Sequence, residues 1–231
     1  MQNEQKFLLM VFQKLLDHYG PRHWWPAETE FEVMVGAVLT QNVAWRNVEK
    51  AIAALKEKGL MHPQGLYQAD LPLLEELIVP TRYYKTKAKK LKALVELVID
   101  EFGGNLAAMF NQPMQSLRSR LLQVYGIGPE TADSILLYAA KKPIFVVDTY
   151  TGRIFHRLGV FPANASYQAM QNYFMGNLPH QTELYNEYHA LIDCLGHRLC
   201  KVSNPGCPLC PLNNICRKEN SEKGLSAFYV E

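Results

Sequence analysis

A chain of 231 residues with net charge +2, 48% hydrophobic and 20% charged residues has the makeup of a globular protein able to fill one substantial core or two modest ones. That balance argues against disorder, and it is too near neutral to argue nucleic-acid binding by charge alone, so any such case rests on local patterning. The longest uninterrupted apolar stretch, residues 33–39, is too short to cross a bilayer, and no N-terminal segment has the pattern of a signal peptide, so a cytoplasmic protein with no membrane partner is expected.

The spacing of Phe7, Leu8, Val11, Phe12, Leu15, Leu16 and Tyr19 predicts an amphipathic helix over 1–20, broken by Gly20 and Pro21. An irregular segment follows with Trp24, Trp25 and Pro26. Two adjacent indoles cannot share a helix face, and plugging a domain interface is their plain reading. A helix is predicted over 30–44 with Phe31, Met34, Val35 and Val38 inward, ending near Gln41 and followed by Trp45. Further helices are predicted over 48–58, 71–77 and 91–102, with a short one over 106–110. Between Arg82 and Lys92 lie six basic residues and no acidic one: Arg82, Lys85, Lys87, Lys89, Lys90 and Lys92. Such a run is ordinarily a solvated helix face. Tyr83 and Tyr84 at its start also suit a phosphate backbone beside a stacking or wedge residue.

Residues 113–148 carry the strongest local signals. Pro113 opens a helix with Leu117, Leu121, Leu122 and Val124 on one face, and Tyr125, Gly126, Ile127, Gly128 and Pro129 then turn the chain. Both glycines tolerate positive φ, and Pro129 suits the first turn of the next helix, expected to reach about residue 140 with Ala132, Ile135, Leu136 and Ala139 inward. The turn's N–H groups and the helix dipole converge on one point, a potential anion grip, although many such turns only connect elements. Pro143, Ile144, Phe145, Val146 and Val147 form a short, strand-like buried run that delivers Asp148 to the start of a helix over 149–158. An Asp there reads first, from the local sequence alone, as a helix N-cap.

Two more helices are predicted over 167–175 and 183–195, with Cys194 a buried small apolar residue. Cys200, Cys207, Cys210 and Cys216 follow in the spacing C-x6-C-x2-C-x5-C, turned by Pro205, Pro208 and Pro211. Thiols so grouped in a reducing compartment point to a metal rather than disulfides. Four thiolates hold either a zinc ion or an iron–sulfur cube; a single C-x-x-C pair and wide outer intervals favour the cube and leave zinc open. Residues 219–231 read as a tail.

The hairpin at 125–129, Asp148 about twenty residues on, and the cysteine spacing together resemble the helix-hairpin-helix DNA glycosylases of the endonuclease III superfamily, over nearly the whole chain. The resemblance implies that Gly126, Ile127 and Gly128 grip DNA, that Asp148 is the essential aspartate, and that Gln41 enters the gap left by an extruded nucleotide. It implies a wedge in Tyr83 or Tyr84 and a [4Fe-4S] cluster on Cys200, Cys207, Cys210 and Cys216, with Lys201, Arg217 and Lys218 presented toward DNA. Trp24, Trp25, Pro26 and Trp45 look like the pocket of 3-methyladenine glycosylases, where aromatic rings sandwich the flipped base. Where bifunctional members carry a Schiff-base lysine, this chain has Glu130. A carboxylate forms no imine, so the resemblance implies a monofunctional enzyme, with Glu130 either lining the pocket or lying on the helix surface.

The expectation is an all-α protein of two helical domains, 23–141 and 1–22 plus 142–231, with an interdomain cleft, a helix-hairpin-helix motif and a C-terminal iron–sulfur loop. Its partner is damaged double-stranded DNA, and a monomer is the default. Removal of N-alkylated purines is the leading reaction. Removal of mismatched thymine or uracil, or DNA binding without catalysis, are the alternatives.

Overall fold

The computed structural model describes residues 2–217; Lys218 and the expected tail at 219–231 lie outside the described residues. Within them the fold is all-helical, with no β-strand, and no helix is long and apolar enough to cross a membrane. The chain divides into two compact units: one combines the chain up to Trp24 with the chain from Pro143 onward, and the other is Trp25–Lys142.

The Trp25–Lys142 unit is built round α2 (Glu30–Leu39), buried from Phe31 to Leu39. A helix apolar on all sides belongs in the middle of a bundle, and α3 (Trp45–Glu57), α6 (Tyr84–Phe102) and α9 (Pro129–Ser134) pack on it. Thr29 caps α2 by accepting from the Glu32 backbone N–H. Buried Glu32 is in turn paired with Lys56 of α3 at 2.8 Å. The short α4 (Pro63–Gln68) and α5 (Leu71–Leu77), the latter capped by Asp70, flank α6, and α7 (Leu106–Phe110) leads to α8 (Met114–Gln123).

Several boundaries differ from the sequence reading for local reasons. Helix α2 stops at Leu39, five residues short of expectation, because Asn42 takes a left-handed conformation (φ 56°) and α3 restarts at Trp45. Helix α6 begins at Tyr84 rather than at residue 91, so the basic run from Lys85 onward lies within it. In the hairpin only Gly126 uses positive φ (78°); Gly128 is extended at φ −93°. Helix α9 continues into a π-helical stretch over Ile135–Ala139, and every residue from 131 to 139 is buried.

In the other unit α1 (Gln2–Tyr19) packs on α11 (Tyr167–Asn177) and α12 (Thr182–Arg198), and α10 (Thr149–Arg157) packs on α12. Residues 144–147 are buried but pair with no strand. The Phe145 carbonyl instead accepts from Gln171 Nε2 at 2.8 Å, since a buried backbone group needs a partner whatever its source. Phe145 stacks on Phe174 at 4.1 Å between ring centroids, and Cys194 is buried as expected.

Candidate nucleic-acid interface and active site

Gln41, half-buried just beyond α2, is bound at both ends of its carboxamide. Its Nε2 donates to Thr131 Oγ1 at 2.9 Å and to the Gly126 carbonyl at 3.3 Å, and its Oε1 accepts from Lys90 Nζ at 2.5 Å. The Lys90 stem lies across Gly126 so closely that a Cβ there would run into it. Glycine is therefore needed at 126 twice over, for its φ and for this contact. Gly126 and Gly128 are exposed, whereas Ile127 is a buried plug beneath the turn. Arg118 of α8 meets the fully buried Asp133 of α9 through two parallel hydrogen bonds, 2.6 and 3.0 Å. That fork locks the two arms of the hairpin.

The six basic residues of the run separate into two groups. Arg82, Lys85 and Lys89 are exposed. Lys87 is buried and donates to the Leu39 and Thr81 carbonyls, both at 2.7 Å, and desolvation with help from Lys90 pushes its ammonium down to about 8. Lys92 closes the end of α4 by donating to the Leu66, Tyr67 and Ala69 carbonyls. Burial also lowers Lys90. Between the anchored Thr81 and the start of α6, Arg82 and Tyr83 are both left-handed, at φ 55° and 46°. Each costs about 1–2 kcal/mol for a residue with a Cβ. The result is a Tyr83 side chain with 71% of its surface exposed, while Tyr84, inside the helix, is half-buried.

The expected aromatic sandwich takes another form. Trp25 packs edge-on against Trp45, 5.5 Å between centroids and 81° between planes, and against Tyr138 at 5.3 Å and 63°. A base between two rings needs them parallel and roughly 7 Å apart, twice a van der Waals contact, so Trp25 and Trp45 do not form the two faces of one slot. Gly36 makes the arrangement possible, for a Cβ there would stand 3.1 Å from Trp25 Nε1. Beside these rings is a recess of about 130 Å³ lined by Trp25, Ala27, Glu28, Thr29, Glu30, Val33, Tyr138 and Lys141. Pro26 is exposed outside this lining, Trp24 belongs to the other unit, and Glu130 is exposed on the first turn of α9, likewise outside the lining.

Asp148 is the N-cap of α10. Its Oδ1 accepts from the Thr151 backbone N–H at 2.6 Å and from the Thr151 hydroxyl at 2.7 Å. The carboxylate is thereby held in one rotamer, and Oδ2 lies 3.9 Å from Nε2 of His189 on α12. The capping reading and the catalytic reading are compatible, because the cap uses one oxygen and leaves the other for chemistry. Desolvation, with Asp193 and Asp148 reinforcing it, raises the Tyr150 phenol above its ordinary range.

The four cysteines lie in two short 3-10 turns, Cys207–Leu209 and Asn213–Ile215, and the segments around them. Burial, with smaller effects from Cys200, Cys216 and Cys207, pushes Cys210 up to about 11, so the thiols sense one another. Among the described residues, however, no group of three or more His, Cys, Asp or Glu side chains is arranged to hold a metal ion. The loop is tethered by α10: Arg153 donates to the Cys200 and Gly196 carbonyls, and Arg157 to Cys200 Sγ at 3.1 Å, to the Lys201 carbonyl at 2.8 Å and to the Val202 carbonyl.

Tyr138, His189, the Arg118–Asp133 fork and the two tethering arginines were absent from the sequence reading. Only Lys87 carried a usable signal. It falls one and two turns before Leu91 and Leu94 on the buried face of α6, a position that the charge run disguised.

A glycine hairpin, a carboxylate capping a helix and a cysteine loop thus occur together in one all-α fold. Residues 35–180 match the model of the HhH-GPD superfamily of base excision DNA repair proteins. A Methanocaldococcus jannaschii protein assigned provisionally as DNA repair glycosylase MJ1434 is 42% identical over 93% of this chain and 98% of its own. Endonuclease III of Thermotoga maritima is 30% identical over 80% of this chain and 82% of its own. A solved non-covalent endonuclease III–DNA complex shares the fold at TM-score 0.81 and 24% identity, over 96% of this chain and 99% of that one. The chain belongs to the HhH-GPD superfamily, as a base excision DNA glycosylase.

Proposed function

We propose that this glycosylase is monofunctional and hydrolyses N-alkylated purines of the 3-methyladenine type from double-stranded DNA. The observation that carries the reading is the recess in which Trp25 and Tyr138 share a wall with Glu28 and Glu30. Alkylation at a ring nitrogen leaves a purine cationic. Electron-rich rings favour such a base by about 0.5–2 kcal/mol per contact; of the charged groups in the lining, Glu28 is paired with Lys56 at 3.0 Å and Glu30 is balanced by Lys141, so the rings carry the preference. A neutral pyrimidine would instead need polar groups matched to its edge.

The base, once turned out of the stack, is assigned to this recess. Gln41 is the proposed occupant of the vacated position, Tyr83 or Tyr84 the wedge, of which Tyr83 is the more exposed, and Gly126, Ile127 and Gly128 the grip on the backbone. Asp148 is the carboxylate proposed to act on the sugar. As the glycosidic bond lengthens, electrons pass to the departing base and positive charge gathers on the sugar, where a fixed carboxylate stabilises it. The same carboxylate orients or deprotonates the attacking water, typically a contribution of about 10²–10⁴-fold. A cationic purine leaves as a neutral molecule and needs little acid assistance. Glu130, exposed in the first turn of α9, offers no amine for imine chemistry, which supports hydrolysis without strand cleavage.

Cys200, Cys207, Cys210 and Cys216 are the proposed ligands of a [4Fe-4S] cluster. The donor chemistry fits, with four thiols in one loop and a guanidinium already donating to Cys200 Sγ. The cluster would supply a staple for a loop with little apolar support.

Incubation of the protein with methylated duplex DNA, with chromatography of the freed bases, tests the reading. Release of 3-methyladenine without a borohydride-trapped enzyme–DNA adduct is expected. Release of thymine or uracil from mismatches and of no alkylated base would replace the substrate assignment, and efficient trapping would overturn the monofunctional one.

A further inference from the structure

The Gln41 side chain is held against the hairpin. All three hydrogen bonds of the carboxamide go to the hairpin side: Thr131 Oγ1, the Gly126 carbonyl and Lys90 Nζ. The backbone beneath is pinned separately, for Lys87, one turn before Lys90 on α6, ties the Leu39 carbonyl to the Thr81 carbonyl. Lys90 lies flat across Gly126, which puts its ammonium beside the turn proposed to receive a phosphate.

We propose that Lys90 is a positioning residue shared between Gln41 and a DNA phosphate. Without DNA its ammonium holds the Gln41 oxygen and parks the carboxamide on the hairpin. When a backbone phosphate reaches the hairpin, the ammonium passes to it and Gln41 is freed to enter the duplex. An ammonium prefers a full negative charge to an amide oxygen, so the exchange is favourable only where DNA is seated, and intrusion is tied to correct docking. The inference rests on the assignment of Gln41 to the gap.

The two parts separate experimentally. Binding to an undamaged duplex, and to a duplex carrying an abasic-site analogue beside 2-aminopurine, is measured across a salt series for the native chain, Lys90→Met, Lys90→Arg and Gln41→Ala. Lys90→Met keeps the stem on Gly126 and should lower the slope of log affinity against log salt by about one, while Lys90→Arg keeps the slope. Gln41→Ala leaves Lys90 nothing to release, so it should bind undamaged DNA several-fold more tightly while losing the 2-aminopurine signal. An unchanged slope in Lys90→Met, or no tightening in Gln41→Ala, would overturn the shared lysine. A Gln41→Ala variant with the full 2-aminopurine signal would overturn the Gln41 assignment itself, and circular dichroism of each variant distinguishes these results from misfolding.

Discussion

The hairpin and the cysteine loop are both turns of irregular backbone, and they are held by opposite means. The hairpin rests on a core: Leu117, Leu121, Ile127 and Ala132 are buried beneath it, an ion pair between the half-buried Arg118 and the fully buried Asp133 joins its arms, and Gln41 and Lys90 clamp its outer side. From Cys200 to Cys216 the only buried apolar side chain among the described residues is Leu212, and Val202 and Leu209 are 77% and 72% exposed. That loop depends on two arginines from α10 and on short backbone turns. A turn proposed to grip DNA gains from rigidity supplied by burial. A turn that hydrophobic contact cannot hold needs polar tethers or a bound group.

The largest effect should come from breaking the hairpin's support. Arg118→Ala leaves the Asp133 carboxylate buried without its fork, and removing one partner of such a pair costs roughly 3–5 kcal/mol. Thermal melting should fall by many degrees, and a loss of under about 1 kcal/mol would mean that the pair is incidental. Arg157→Met removes three donors from the cysteine loop but touches little core. Global stability should fall less than in Arg118→Ala, while amide exchange and protease cleavage within residues 200–216 rise by on the order of tenfold, as for a lost charge-assisted bond. Equal effects of the two substitutions on global melting would erase the contrast.

The smallest effect is electrostatic. Lys87 has a folded pKa of about 8, lowered chiefly by desolvation, whereas the unfolded chain keeps its proton to about 10.4. Between those values the unfolded state binds more protons, so this group's contribution makes stability rise with pH. Denaturant titrations from pH 7.5 to 10 should show that rise in the native chain and a flatter profile in Lys87→Met. Identical slopes would mean that the ammonium is as well solvated in the fold as outside it.

What could be read in the sequence was local. Glycine and proline punctuate the chain at 20–21, 103–104 and 126–129, and the all-helical fold follows from the periodicity between them. Asp148 was visible as a helix cap because capping is local, joining it only to Thr151 three residues on. The Arg118–Asp133 fork was not visible, since nothing local distinguishes a surface pair from a buried one fifteen residues apart. The Trp25–Trp45 geometry was hidden for a related reason: the residue types suggest a stack, whereas the rings meet edge to face, with Trp25 seated closely on Gly36. Lys87 shows a local pattern misread, because a basic run suggested solvent where the helical spacing to Leu91 and Leu94 meant burial.

The central claim, that a carboxylate fixed at the head of α10 drives release of alkylated purines, is tested most directly by comparing the native chain with Asp148→Asn on methylated duplex DNA. Asparagine keeps the capping oxygen and is as good an N-cap as aspartate, so melting should stay close to native while the charge is gone. The account predicts release of 3-methyladenine by the native chain and a loss of at least about 100-fold in the variant. Native-like release by Asp148→Asn, or no release of alkylated purine by the native chain, would contradict it.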